Sequence, residues 1–288
     1  MNSCEAWLTP FFTDADLRLG YLHSKFSRAI NFSVPAAAGP DRLLTLMRAG
    51  LPAIPDSLML PDSVFAQVHR LPIQTEIVCR GLSFEVPDAG IRLQVPMNQI
   101  GQCSLKSRHE EITGQHQLNF DNFRSAYRQF IAQNRFQFGF ASNPNLAEIS
   151  RLALTGQSEA LKNTMAKIIG LGQGLTPACD DALIGILAML TCVKCSITSL
   201  ISEDDWLRLI HSRTTDISIK YLRCAYAGYF SEPIVQLADQ LFSAQPQNWQ
   251  PLFELFSKIG GSSGLDMLYG IDLTVNALMT TARQDGKP

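Results

Sequence analysis

The sequence predicts an α+β protein: a β-rich N-terminal part with a small antiparallel sheet, followed by a larger all-helical part. Two patterns predict it. Between Ile73 and Val95 apolar and polar residues alternate, as in half-buried strands, and beyond Asn119 apolar residues recur at helical spacing. Composition is the third observation: 46% of the 288 residues are hydrophobic and 17% charged, which describes an ordinary globular chain with a sizeable core. That length suits one large domain or two unequal ones.

In chain order, Ile73, Thr75, Ile77 and Cys79 mark one strand face, Leu82, Phe84 and Val86 a second, and Ile91, Leu93 and Val95 a third. The PDAG step from Pro87 to Gly90, between the last two, is turn chemistry. GQHQLNFDN, from Gly114 to Asn122, is a soft junction and sets the domains at 1–114 and 115–288. Helical stripes follow. Phe120, Phe123, Tyr127, Phe130 and Ile131 form one, and Leu161, Met165 and Ile168 form another behind a Ser158 cap. Ala182 to Cys192 reads as a buried helix. Ser202 with Asp205 resembles a capping box ahead of Trp206, Leu209 and Ile210, and Leu268, Ile271, Val275 and Leu278 make a last stripe.

Several function classes are disfavoured at once. A net charge of -2 argues against nucleic acid as a partner. The longest apolar run falls well short of the ~20 residues a membrane span needs, and MNSCEAWLTPFF lacks the basic start and apolar centre of a signal peptide, so a cytoplasmic location is the default. Seven cysteines without a spacing framework read as reduced thiols, the CxxC of Cys192 and Cys195 included. His69, His109, His116 and His211 show no metal-ligand spacing, so neither a zinc site nor any other metal is expected.

The stretch that looks made for chemistry is GLGQGLTPACDD, Gly170 to Asp181. Part of it is explained by helix capping: Thr176 suits the N-cap, Pro177 the first helical position, and Asp180 and Asp181 the positive end of the helix dipole. Three alternate glycines exceed that need. Gly170, Gly172 and Gly174 would let backbone N–H groups approach an anion closely. The lysine of a nucleotide phosphate loop is missing, as is the strand–helix–strand context of a dinucleotide fold, so no nucleotide cofactor is expected. An anion loop with acids built in suits a ligand that has both an anionic end and amide donors, such as a carbamoyl or ureido acid.

Three other segments bear on this. Asp181-Ala-Leu-Ile-Gly185 is echoed by Asp266-Met-Leu-Tyr-Gly270, and each follows a loop of small residues, so two helix starts could share one ligand or match by chance. From Arg213, Thr214 and Ser218 share a helical face with Tyr221 or Leu222, and Arg223 lies beyond; they could hold a carboxylate or phosphate, or form an ordinary surface helix. His23 stands beside Ser24, with Arg28 further on.

HSKFSRAINF, GLGQGLTPACDD, RTTDISIKYLRCAYAGYFSEP and GGSSGLDMLYG occur in an order that resembles the AllH-like family, whose motifs commonly read GxGxGLTPSGDD and GHSSGxD. Ala178-Cys179 stands where Ser-Gly is usual, and Gly261 where His is usual. The resemblance implies a subunit of oxamate carbamoyltransferase that works with FdrA-like and AllG-like subunits in anaerobic allantoin breakdown. The reaction is phosphorolysis of oxalurate to oxamate and carbamoyl phosphate. On that basis Asp181, Asp266 and Thr176 are assigned catalytic roles. Gly170, Gly172, Gly174, Asp180, Ser262, Ser263, Gly264, Thr214, Arg223, His23 and Arg28 are assigned to substrate binding. The alternatives are a non-catalytic scaffold or regulatory subunit, and a transferase for another small acid. An open polar pocket joining Gly172, Asp181 and Asp266 would favour a site, and buried, filled helix ends would favour architecture.

Overall fold

The computed structural model describes residues 2–14, 16–36, 40–101, 103–106, 111–134, 143–193, 195–245 and 247–285, which leaves His109 outside. Two compact units divide between Cys103 and Ser104.

The first unit is built on one sheet. Its strands are β1 (Asn2–Ser3), β2 (Glu5–Trp7), β3 (Leu17–Lys25), β4 (Ala29–Val34), β5 (Arg42–Arg48), β6 (Ser57–Leu60), β7 (Glu76–Arg80), β8 (Ser83–Val86) and β9 (Ile91–Gln94). They lie in the order β1-β9-β8-β7-β3-β4-β5-β6-β2. Helices α1 (Pro10–Thr13) and α2 (Asp62–His69) supply Phe12, Val64, Phe65 and Val68 to the core of this unit. The β7, β8 and β9 meander follows the alternation in the sequence, and Gly90 closes its turn at φ 62°.

The sheet is neither small nor purely antiparallel, which corrects the expectation. It has nine strands, and the β1·β9 and β5·β6 pairs are parallel. The cause is visible in β5: Leu43 to Met47 are all buried, with leucines on both faces and only Thr45 polar among them, so no alternation remains to be read. The first predicted strand is also shorter than expected. Gln74 takes a positive φ of 74°, which puts Ile73 and Thr75 in a turn ahead of Glu76.

The second unit is helical, as expected. It comprises α3 (Gly114–Asn134), α4 (Pro144–Leu154), α5 (Ser158–Met165), α6 (Ala178–Cys192), α7 (Glu203–His211), α8 (Asp216–Tyr226), α9 (Glu232–Leu241), α10 (Gln250–Phe256) and α11 (Ser263–Asp285). Every residue of α6 is buried, so this helix forms the axis of the unit. The α3 stripe packs its Phe123 ring against Trp249 at 5.4 Å and Phe253 at 5.7 Å. Ser202 caps α7 by accepting from the Asp205 N–H at 3.2 Å. At α5 the cap position is Gln157 rather than Ser158, which already lies inside the helix. Cys192 is buried, and the Cys195 Sγ contacts the Ala153 carbonyl at 3.2 Å.

α6 and α11 are the most extensively packed pair of helices described in the unit. A Cβ on Gly185 would lie 2.1 Å from the Met267 carbonyl oxygen, and one on Gly270 would lie 1.9 Å from that of Ala182. The contact is reciprocal: each glycine meets the carbonyl of the residue just after the other helix's aspartate. The sequence echo around Asp181 and Asp266 is therefore a packing motif with local two-fold character, and only glycine permits the approach.

Candidate functional site

The chain enters the glycine loop from the buried pair Ile168 and Ile169. Gly170 turns it at φ 82°, where a Cβ would lie 1.9 Å from the Arg213 carbonyl oxygen. Its N–H donates to Asp180 Oδ1 at 2.8 Å. Gly172, at φ 125°, lies against the helix start, where a Cβ would lie 2.4 Å from the Ala178 nitrogen. Two of the three glycines thus have an architectural reason. Gly174 differs, since its φ of 94° comes with open space around it. Leu171 and Leu175 on the same loop are exposed at 47% and 51%.

The helix start departs from the expected capping. Pro177 occupies the cap position at φ -54° and ψ 138°, and α6 begins at Ala178. Thr176 is therefore not the N-cap. Its hydroxyl pairs with Ser263 Oγ at 3.0 Å, which ties the loop to the start of α11. The two helices begin at the same end of the unit, and the positive ends of both dipoles lie there.

Asp180 is engaged in bracing. It is fully buried, Oδ1 accepts from Gly170, and Oδ2 accepts from Ser218 Oγ at 2.6 Å and from the Thr214 hydroxyl. Burial raises its pKa, and the Ser218, Thr214 and Gly170 donors oppose that rise. Asp180 and Thr214, both assigned to substrate binding from the sequence, thus bind each other. Thr215 completes the brace by capping α8 and donating to the Leu175 carbonyl. Thr215 is a neighbour absent from the sequence-derived site, although a threonine three residues ahead of Ser218 is a recognisable cap signal.

Asp181 is the anomaly. It is fully buried, and neither carboxyl oxygen closes a hydrogen bond of ordinary geometry. Burial pushes its pKa up to about 8. The Ser263 and Thr176 hydroxyls act in the opposite direction, and the Asp266 and Asp180 charges add to the rise. Tyr221 on α8 completes the surroundings, its own pKa raised by burial and by the charge of Asp181. Asp266 is likewise fully buried.

Around these acids runs a half-buried polar rim of Thr176, Ser262, Ser263 and Tyr221. Gly264 has a packing role, since a Cβ there would lie 1.9 Å from the Phe256 carbonyl oxygen. Arg223 is buried within α8 and lowers the pKa of His211, itself chiefly lowered by burial. Cys179 is buried, and its thiol is pushed up to about 11 by burial and by the Asp180 and Asp266 charges, with Asn143 opposing. His23, on β3, and Arg28 are exposed residues of the first unit. Among the described residues no group of three His, Cys, Asp or Glu side chains is placed to hold a metal ion. No helix among them is long and apolar enough to cross a membrane.

Fold and geometry together define an α+β chain whose helical unit carries buried acids beneath a glycine loop, at the paired starts of two helices. Residues 168–275 match the family model described as oxamate carbamoyltransferase subunit AllH. The resemblance seen in the sequence motifs is thus shown over the segment that holds the glycine loop, the α8 brace and the start of α11. No solved structure matches the chain.

Proposed function

We propose that the chain is a subunit of a carbamoyltransferase-type complex acting on oxalurate and phosphate, with FdrA-like and AllG-like partners, in allantoin nitrogen breakdown. The observation that carries this reading is the Thr176–Ser263 hydroxyl pair at 3.0 Å, which joins the two matched motifs over a buried carboxyl. Phosphate attack on the ureido carbonyl builds negative charge on oxygen. Hydroxyl donors and loop amides at the positive ends of two helices stabilise such charge, and prearranged donors contribute several kcal/mol in steps of this kind. Gly174 leaves open space for the ligand, and Thr176 and Ser263 donate, with Asp181 and Asp266 buried beneath them.

The test is phosphate-dependent release of oxamate by the complex assembled from this chain and its partners. Gly174→Val fills the open side of the loop and strains its backbone at φ 94°, which displaces the loop amides; it is expected to lower the rate by about 100-fold, the effect of losing one oxyanion donor. An unchanged rate in a folded variant would remove the loop from the reaction.

A second reading is a non-catalytic scaffold or regulatory subunit. The complete burial of Asp180, Asp181 and Asp266 favours it, because filled helix ends are what architecture alone requires. It predicts that Gly174→Val leaves turnover intact and alters only assembly with the partners.

A further inference from the structure

We propose that Asp181 is a buried proton reservoir that serves the ligand through the Thr176–Ser263 hydroxyl pair. This rests on the carbamoyl-transfer reading above. Among the described residues this fully buried carboxyl closes no hydrogen bond of ordinary geometry, and leaving such a group unsatisfied is costly. Capping does not explain it, because Asp180, next to it in the same first turn, has Gly170, Thr214 and Ser218 as donors. Packing does not require it either, since Ala182, Leu183 and Ile184, which follow it on α6, are apolar and likewise buried.

What lies between Asp181 and the outside is specific. Thr176 and Ser263 are half-buried, bond to each other at 3.0 Å, and both act on the Asp181 carboxyl. Each hydroxyl can accept one proton while giving up another. The charged and titratable groups that face Asp181 are Asp180 on its own helix, Asp266 on α11 and Tyr221 on α8. Among these described groups none is a cation; the Thr176 and Ser263 hydroxyls and the helix start favour the ionised form, but burial outweighs them, and the carboxyl keeps its proton near neutrality.

Carbamoyl transfer requires such a proton. An oxygen of hydrogenphosphate forms the new bond to the carbamoyl carbon, and the bond from that carbon to the amide nitrogen breaks. The departing nitrogen takes a proton from the hydroxyl pair. Asp181 replaces that proton, then recovers its own from the hydrogenphosphate, so it ends the cycle neutral and no other reactant is needed. Without a proton the nitrogen would have to leave as an amide anion.

The experiment is the pH dependence of phosphate-dependent oxamate release from oxalurate by the assembled complex. Wild-type kcat should fall on the alkaline side as Asp181 ionises. Asp181→Asn should lower kcat by about 100-fold, with KM for oxalurate little changed, and should abolish the alkaline fall. The double variant Thr176→Val, Ser263→Ala, made at half-buried positions, should do the same even if Asp181→Asn does not fold. Returning Ser263 to that double variant should recover most of the lost rate. Wild-type turnover and an unaltered pH profile in either folded variant overturn the reservoir and leave the carbamoyl-transfer reading standing. A wild-type complex that releases no oxamate overturns that reading, and the reservoir with it.

Discussion

Asp181 brings a cost into the folded state, and its sign sets a pH dependence of stability. Folding raises its pKa from the ordinary carboxylate range to about 8, chiefly by burial. Between those values the native state holds a proton that the unfolded chain has released, so stability falls as pH rises through the window. Each pH unit removes about 1.4 kcal/mol at most. Asp181→Asn keeps the shape and cannot ionise. Its melting temperature should match wild type near pH 4 and exceed it increasingly towards pH 8, as thermal unfolding followed by circular dichroism would show. A constant difference across that range would mean that Asp181 is ionised when buried. Asp180 has the same direction of shift but three donors, so Asp180→Asn should instead destabilise the fold by leaving the Thr214 and Ser218 hydroxyls without their carboxylate acceptor.

At the scale of elements, the pairing of α6 with α11 gives the site its shape. Gly185 and Gly270 are where the helices touch, and a methyl group on either would have to enter a carbonyl at 2.1 or 1.9 Å. Gly185→Ala and Gly270→Ala should each cost about 1 to 3 kcal/mol by overpacking. The double variant should cost less than the sum, because one separation of the helices relieves both clashes. Urea unfolding of the set checks this, and strict additivity would show that the contacts are independent. The sequence displayed this pairing as an echo, DALIG against DMLYG, but an echo carries no distance. It likewise showed three loop glycines without separating Gly170 and Gly172, which permit backbone contacts, from Gly174, which faces open space. Strands β7 to β9 were legible because one face of each is apolar, whereas in β5 Leu43, Leu44, Leu46 and Met47 occupy both faces and no alternation remains. The brace on Asp180 was beyond reach from sequence, since its donors lie more than 30 residues away at Thr214 and Ser218.

At the scale of the whole molecule, the two units have separate cores. The apolar cluster of the first runs from Cys4 to Val95 and that of the second from Leu105 to Met279, with no residue shared. The matched segment, 168–275, lies wholly in the second unit, together with the glycine loop, the α8 brace and both aspartate-bearing helix starts. Every hydrogen bond described for the site is likewise internal to that unit. A chain of residues 104–288 should therefore fold alone, with a single cooperative transition in urea, because a cluster of this kind supplies its own driving force. Asp181→Asn should show the same pH-dependent stabilisation in that fragment as in the full chain, since the groups that set its pKa come from α6, α8, α11 and the glycine loop. A fragment that melts gradually, or in which the pH dependence of Asp181→Asn is lost, would show that the first unit shapes the site. His23 and Arg28, assigned to substrate from the sequence and belonging to that first unit, would then be the first residues to substitute.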